Sequence, residues 1–367
     1  MSEFTQLETR LDRPGLIPRQ LQPENLESPL NTLFSWQTPT DLFYLRNHLP
    51  YPTIDMDTWN LQIDGEVAGS KSYSYDDLYN MPHVSKFVTI ECSGNKRGLL
   101  EPPALGEQWN IGAIGNAKWT GVPLSYLLDQ FEISALAREV VFKGCDYGSR
   151  PDMPGQFHFE RSLPLDSNLL DECIIALWMN DEPLPYKHGY PARLIVPGWY
   201  GMAHVKWLNK LTFTQDKFRG PFQAIDYVYI DNEDDFSKAV PVTEIKVNSI
   251  ITWPAKGEVI KPGVHTIRGI AWAGKARITE VEISLDNGIS WSNARLTSPE
   301  HSSYTWTFWE YTWTVSFPGH YFLTVRAKDS FGDVQPKQAR WNAKGYANNS
   351  HHRVEVTVPG IPAPSLQ

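Results

Sequence analysis

Four stretches of this sequence carry side chains whose types and spacing could do chemistry together. The first is TIECSGNKRG, in which Cys92 ends a β-branched run and is followed by Gly94 and the basic pair Lys96 and Arg97. A thiol at a strand end, partly exposed in a positive field, has a lowered pKa and is favoured as thiolate. Thiolate is a soft donor, suited to a soft or redox-active metal. A free cysteine is also commonly an inert buried residue, so this stretch by itself is a weak signal. The other three are FYLRNHLP, YKHGYPARLIVPG and YGMAHVKW, all rich in basic residues and two of them containing glycine. Arg and Lys form charge-assisted hydrogen bonds to phosphate, and glycine lets backbone N–H groups approach it. Together they point to a phosphorylated ligand, whereas each alone also reads as a satisfied structural network. The sequence has no G-x-G-x-x-G after a strand and no G-x-x-x-x-G-K-[ST], so neither a Rossmann site nor a P-loop is supported.

These residues sit in a chain of 367, long enough for two or three domains. Hydrophobic residues make up 41% and charged residues 20%, the balance of a folded protein with a sizeable core. Fourteen Trp, 16 Tyr, 16 Phe and 28 Pro tilt it toward strands joined by long ordered connections. The net charge of −9 argues against nucleic-acid binding but not against a small anionic substrate, which feels only the local field. Three cysteines without a C-x-x-C pair exclude a disulfide framework, make structural zinc a poor expectation and fit reduced thiols in the cytoplasm. The N-terminus, MSEFTQLETRLDRPGLIPRQ, shows neither an apolar export core nor a twin-arginine pair. No run approaches the ~18 apolar residues of a membrane span.

The elements that must position the chemistry follow from the patterning. Residues 1–40 are polar and proline-punctuated, and are expected as an extended arm on the surface. WNLQIDGEV, FVTIEC, VVFKGCDYG, CIIALWMN, ARLIVPG and VKWLNKLTFT read as strands. SYDDLYNM and GVPLSYLLDQF read as helices, the second amphipathic. With no regular βαβ alternation, residues 41–238 are expected as an α+β domain. From 239 to 360 helix signals fade and short alternating runs recur, among them ITEVEISL, TWTFWEYTWTVSF, HYFLTVRAKD and HRVEVTV. SLDNGISW adds an Asn-Gly hairpin signal. Some seven strands in this span fit an immunoglobulin-like sandwich without its disulfide, and residues 361–367 form a tail.

Read in order, RNHLP, IECSGNKR, WNIGAIGNAKWTGVPL, KGCD, MNDEPLPYKHGYPARLIVPG, GMAHVKWL, DY and the late NNSHHRVEV resemble the successive blocks of the sulfite oxidase family of molybdopterin oxidoreductases. Assimilatory nitrate reductases and sulfane dehydrogenase catalytic subunits share its domain. The likeness runs from Arg46 to Val358. It implies a molybdenum-molybdopterin cofactor with Cys92 as metal ligand. It places Tyr44, Leu45, Arg46, Asn47, His48, Asp146, His188, Arg193, His204, Val205 and Lys206 around that cofactor. It places Arg46, Arg97, Trp109, Tyr227 and Arg353 around the substrate. It further implies a homodimer through the sandwich domain. Ser93 and Lys96 stand where the family usually has Ala and Arg, and Cys145 stands where a small residue is usual; Cys145 and Cys173 are expected to be structural.

The resemblance and the chemistry agree on a reaction. Sulfite is a small dianion whose desolvation needs fixed positive charge, and arginine forks match oxyanions without losing their protons. Tyr227 could donate to a product oxygen, and the cofactor carries the oxygen-atom transfer. The sequence shows no haem or flavin block, so electrons are expected to leave to a separate acceptor: a cytochrome, another carrier or oxygen. The expected activity is therefore sulfite oxidation to sulfate. Nitrate reductase-like and sulfane dehydrogenase-like chemistry are the enzymatic alternatives. A two-domain ligand-binding protein with an immunoglobulin-like interaction module is the non-enzymatic one.

Overall fold

The alternation expected of strands is visible directly in burial. Leu61 and Ile63 face inward on either side of exposed Gln62, and the β-branched end of FVTIEC is wholly buried. The computed structural model describes residues 15–150, 152–166, 168–232, 235–298 and 303–360. The first fourteen residues of the expected arm and the expected tail 361–367 lie outside the described residues. The described chain divides into two compact units, each taken here by itself.

The first unit comprises residues 15–29, 37–245 and 341–348. It opens with an antiparallel hairpin of β1 (Ile17–Leu21) and β2 (Glu24–Glu27). This corrects the expected surface arm: Asn25, Glu27 and Ser28 are almost wholly buried. A carboxylate is tolerated there because Glu27 accepts hydrogen bonds from the backbone N–H groups of Asn110 and Gly112, at 3.1 and 2.6 Å, and pairs with Arg19.

One sheet holds β3 (Leu61–Gly65), β4 (Lys71–Tyr73), β7 (Glu139–Arg150), β8 (Met153–Pro164) and β12 (Leu208–Thr214), in the order 4-3-12-7-8, with β12 parallel to β3. A second holds β5 (Val84–Glu91), β6 (Ile114–Pro123), β9 (Ile174–Met179), β10 (Glu182–Pro183) and β11 (Arg193–Ile195); β5 pairs with β6, β6 with β9, and both β10 and β11 with β9. A two-residue ladder joins β13 (Val228–Tyr229) to β14 (Val240–Pro241). Leu61, Val140, Ile175, Leu194 and Leu211 help form the main apolar core.

Helix is scarcer than the α+β expectation. The two α-helices of the described residues are Tyr75–Tyr79, capped by Ser74 and Asp77, and Leu124–Leu128. GVPLSYLLDQF was read as helical from its apolar spacing, but its first residues belong to β6. There Gly121 packs so tightly against β9 that an added Cβ would lie 2.0 Å from the Ile175 carbonyl oxygen. Long-range sheet pairing overrides local periodicity here.

The second unit comprises residues 30–36, 246–340 and 349–360, so the division falls after Ile245 and two short segments cross it in sequence. β15 (Asn248–Trp253), β16 (Gly263–Trp272), β19 (Arg295–Leu296) and β20 (Thr307–Val315) form one four-stranded sheet. β17 (Ile278–Ser284), β18 (Ser292–Asn293), β21 (Gly319–Asp329) and β22 (His352–Val358) form another. Ile251, Ile267 and Trp309 from the first sheet share one core with Ile283, Leu323, Val325 and Val356 from the second. The hairpin signal of SLDNGISW is a turn with Asn287 at φ 64° and Gly288 at φ 87°, where glycine and asparagine are least strained.

Candidate active site

β5 delivers Cys92 to the end of its sheet. The chain then turns through Ser93–Asn95, with the Cys92 N–H bonded to the Ala113 carbonyl at 2.9 Å and the Asn95 N–H to the Cys92 carbonyl at 2.8 Å. Gly94 leaves room at this turn for the Arg97 guanidinium, which a Cβ would approach to 2.8 Å. Cys92 opens into a cavity that lies wholly within the first unit. Tyr44, Leu45, Arg46, Asn47, His48, Asp146, His188, Arg193, His204, Lys206 and Tyr227 also line it, so it gathers most of the residues singled out from the sequence.

The thiol is not partly exposed, as its neighbours suggested, but 7% accessible. Burial pushes its pKa up, against the opposing pull of Arg46, the Gly94 N–H and Arg97. Desolvation outweighs the positive field, so the thiolate form needs a cation bonded to the sulfur.

The RNHLP segment forms one wall. Arg46 donates from Nη1 to the Asn25 side-chain oxygen at 3.1 Å and to the Asn47 carbonyl at 2.5 Å. Its Nη2 lies 3.2 Å from His48 Nδ1, and His48 Nε2 lies 2.6 Å from the Tyr227 hydroxyl. Arginine can only donate, so the closer contact assigns the lone pair of His48 to Nδ1 and its hydrogen to Nε2. The imidazole then donates to the Tyr227 oxygen and leaves the phenolic hydrogen free for another acceptor. Burial, then Arg46, holds His48 well below its ordinary pKa, so the ring is neutral.

The opposite wall carries the residues suited to a phosphorylated cofactor. Arg193 donates from Nη1 to the His188 carbonyl at 3.1 Å, and His188 Nε2 donates to the Thr40 carbonyl at 3.1 Å. His204 accepts from the Val196 N–H at 3.2 Å and donates from Nε2 to the Trp199 carbonyl at 3.1 Å. Burial, with Arg193 second, pushes both histidines to about 3, leaving Arg193 as the charged group beside them. Lys206 donates to the Asn47 side-chain oxygen, while burial pushes its ammonium pKa down and the Asp146 carboxyl pKa up.

The donor set fits the implied group. Asp146 Oδ1, Arg193 Nε and Ser93 Oγ are buried without a hydrogen-bond partner among the described residues, and all three residues line the cavity. Orphaned donors and acceptors facing one cavity call for a ligand with both kinds of group. Among the described residues no cluster of three or more His, Cys, Asp or Glu could hold a metal ion. Cys92 would thus be a single protein ligand, with the remaining donors coming from the cofactor.

Other expected residues stand further back. Trp109 is fully buried behind Tyr44, with ring centroids 6.5 Å apart, and Val205 is a core residue. Arg97 donates to the Lys344 and Glu107 carbonyls, each at 3.0 Å, and its guanidinium lies 5.0 Å from the Tyr346 ring centroid. Arg353 belongs to the second unit, exposed on β22 with its guanidinium 4.1 Å from the Phe322 ring centroid. Sequence reasoning missed Asn25, Phe159, Arg161 and Tyr346. Tyr346 stacks on Tyr227 at 5.3 Å, in a segment that rejoins the first unit after residues 246–340 of the second. No local pattern marks such a residue.

Two family descriptions match the chain: an oxidoreductase molybdopterin-binding domain over residues 48–222 and a Mo-co oxidoreductase dimerisation domain over 239–359. Human mitochondrial sulfite oxidase is 35% identical over 94% of this chain, which spans 66% of that protein's length. Arabidopsis thaliana sulfite oxidase is 32% identical, with 96% of each chain covered. Among solved structures, the sulfane dehydrogenase SoxCD of Paracoccus pantotrophus superposes with a TM-score of 0.79 at 27% identity, covering 95% of this chain and 86% of that one. On this similarity, and on a thiol-lined cavity built from the same blocks, the chain belongs to the sulfite oxidase family of molybdopterin oxidoreductases.

Proposed function

We propose that this protein oxidises sulfite to sulfate with a molybdenum-molybdopterin cofactor held in the Cys92 cavity and passes the electrons to a separate acceptor. The observation that carries the proposal is the opening of the Cys92 thiol into a cavity shared with Arg46, Arg193, Lys206 and Tyr227. Cys92 would ligate the metal. Asp146, His188, Arg193, His204, Lys206 and the 44–48 segment would hold the pterin and its phosphate. When bound, the cofactor supplies the oxygen-atom transfer and accepts the electron pair.

This chain's own residues do the rest. Among the described residues Arg46 has no carboxylate partner; its acceptors are an amide, a carbonyl and a neutral imidazole, so its charge stays available to an incoming dianion. Tyr227 stays protonated because burial raises its pKa far above neutrality, and its free hydrogen can be donated to a sulfur oxyanion. Trp109 and Phe43 share a buried apolar cluster with Cys92.

The remaining features of the reading concern the whole protein. The two four-stranded sheets of the second unit are read as an immunoglobulin-like sandwich that makes a homodimer, following a mixed α+β cofactor domain; the proposed limits are 41–238 and 239–360. Arg353 keeps its proposed place near the substrate on the family resemblance alone. The chain is read as cytoplasmic and as holding neither haem nor flavin. No helix among the described residues is long and apolar enough to cross a membrane. A sulfane-sulfur substrate is the second reading, favoured by the SoxCD likeness.

Purified from a cofactor-competent host, the protein should contain molybdenum and pterin and reduce an artificial electron carrier when given sulfite. Absence of both metal and pterin would overturn the proposal. Turnover with a sulfane-sulfur substrate but not with sulfite would favour the second reading.

A further inference from the structure

Arg161 is buried with no ion-pair partner of its own among the described residues. It lies on β8 two residues after Phe159, so both side chains leave the same face of the strand. Phe159 lines the cavity. Arg161 is 1% exposed, donates from Nη1 to the Phe222 carbonyl, and has no partner for Nε or Nη2 among the described residues. Its guanidinium carbon lies 5.6 Å from the centroid of the Tyr227 ring.

The nearby carboxylate does not neutralise it. Asp226 is paired with Arg150, Nη2 to Oδ1 at 3.0 Å, and among the described residues no acidic group forms an ion pair with Arg161. Burial lowers the guanidinium pKa to about 10, which still leaves it charged at neutral pH. A cation held in the interior with open donors is costly unless another charge offsets it. The cavity beyond Tyr227 is the place where an anion would do so.

We propose that Arg161 is a specificity-determining residue: its unpaired charge behind Tyr227 favours a dianion over a monoanion in the cavity. The inference rests on the reading of that cavity as a sulfite site. Arg161 acts through space and through the Tyr227 ring rather than by touching substrate. A fixed charge interacts with an anion in proportion to the anion's charge. In a medium of effective dielectric near 20, one extra negative charge in the cavity is thus favoured by on the order of tenfold in affinity.

The test compares holoenzyme with Arg161→Gln and Arg161→Lys. Calorimetry measures the affinity for sulfate, a dianion, and for nitrate, a monoanion, independently of turnover. Arg161→Gln should lower the sulfate-over-nitrate ratio about tenfold or more. Arg161→Lys, which keeps the charge but not the fork, should stay within about threefold of the wild type. An unchanged ratio in Arg161→Gln would overturn the inference, as would an equal loss in both variants, which marks a packing role. Should the Gln variant not fold, the Lys variant still decides, because loss of the ratio there contradicts an electrostatic origin. A wild type that prefers sulfate yet does not oxidise sulfite would refute the enzymatic reading while leaving this inference standing.

Discussion

Single side chains in this site are governed by burial more than by their sequence neighbours. The basic pair after Cys92 suggests an acidified thiol, whereas desolvation raises its pKa, so ionisation would come with the proposed metal bond. Cys92→Ser should therefore abolish sulfite turnover while the far-UV spectrum and unfolding midpoint stay close to wild type; full activity in that variant would end the assignment. Arg46→Gln removes a charge that no carboxylate among the described residues pairs with. Losing one charge-assisted bond is worth ~1.5–3 kcal/mol, so KM for sulfite should rise about ten- to hundredfold with cofactor content unchanged. An unaltered KM would contradict its role.

The two histidines held near pKa 3 give a signed pH dependence. In the unfolded chain each takes up a proton around its ordinary value of ~6.5. Between about pH 6.5 and 3 the unfolded state thus binds more protons than the folded one, and stability falls as pH is lowered. Two such groups give a limiting slope of about 2.7 kcal/mol per pH unit. Denaturant titrations at pH 7 and pH 5 check this: His204→Gln should remove about one proton from the uptake on unfolding at pH 5. Equal uptake in variant and wild type would show that this histidine is not held neutral.

At the scale of elements, what was legible depended on whether a pattern was local. The strands FVTIEC, HYFLTVRAKD and HRVEVTV, and the hairpin turn at Asn287–Gly288, were readable because alternation and turn chemistry are written within a few residues. The amphipathic spacing of 121–131 marks a helix that is present at Leu124–Leu128 but overruns its start, because the pairing of Gly121 against β9 is a long-range constraint. The hairpin of β1 and β2 was unreadable for the same reason. Its polar residues looked solvated, yet Asn25 accepts from Arg46 at 3.1 Å and from the Asn47 N–H at 2.8 Å. Asn25→Ala leaves those donors short of an acceptor and should lower stability by about 1–3 kcal/mol. It should also raise KM, since Arg46 loses its anchor. Thermal unfolding together with steady-state kinetics reads both effects, and a variant indistinguishable from wild type in both would contradict the role of the hairpin.

For the whole molecule, the order of blocks was the most legible feature. Cys92, Asp146, His188, Arg193, His204 and Lys206 are far apart in sequence and converge on one cavity. No composition or periodicity argument brings them together; the resemblance did, and the fold supplies the physical reason, with Cys92 and Arg193 at strand ends, Asp146 on β7, and His188 and His204 at the ends of short 3-10 turns. Arg161 and Tyr346 remained hidden because their contacts with Tyr227 exist only after folding. The dimerisation description over 239–359 leads us to expect twice the chain mass in sedimentation velocity, and a persistent monomer at micromolar concentration would contradict the proposed homodimer.

The assignment of Cys92 as metal ligand is open to direct measurement by X-ray absorption at the molybdenum edge. Wild-type protein should show bound molybdenum whose sulfur shell loses one scatterer in Cys92→Ser. A shell identical in the two proteins would contradict the account.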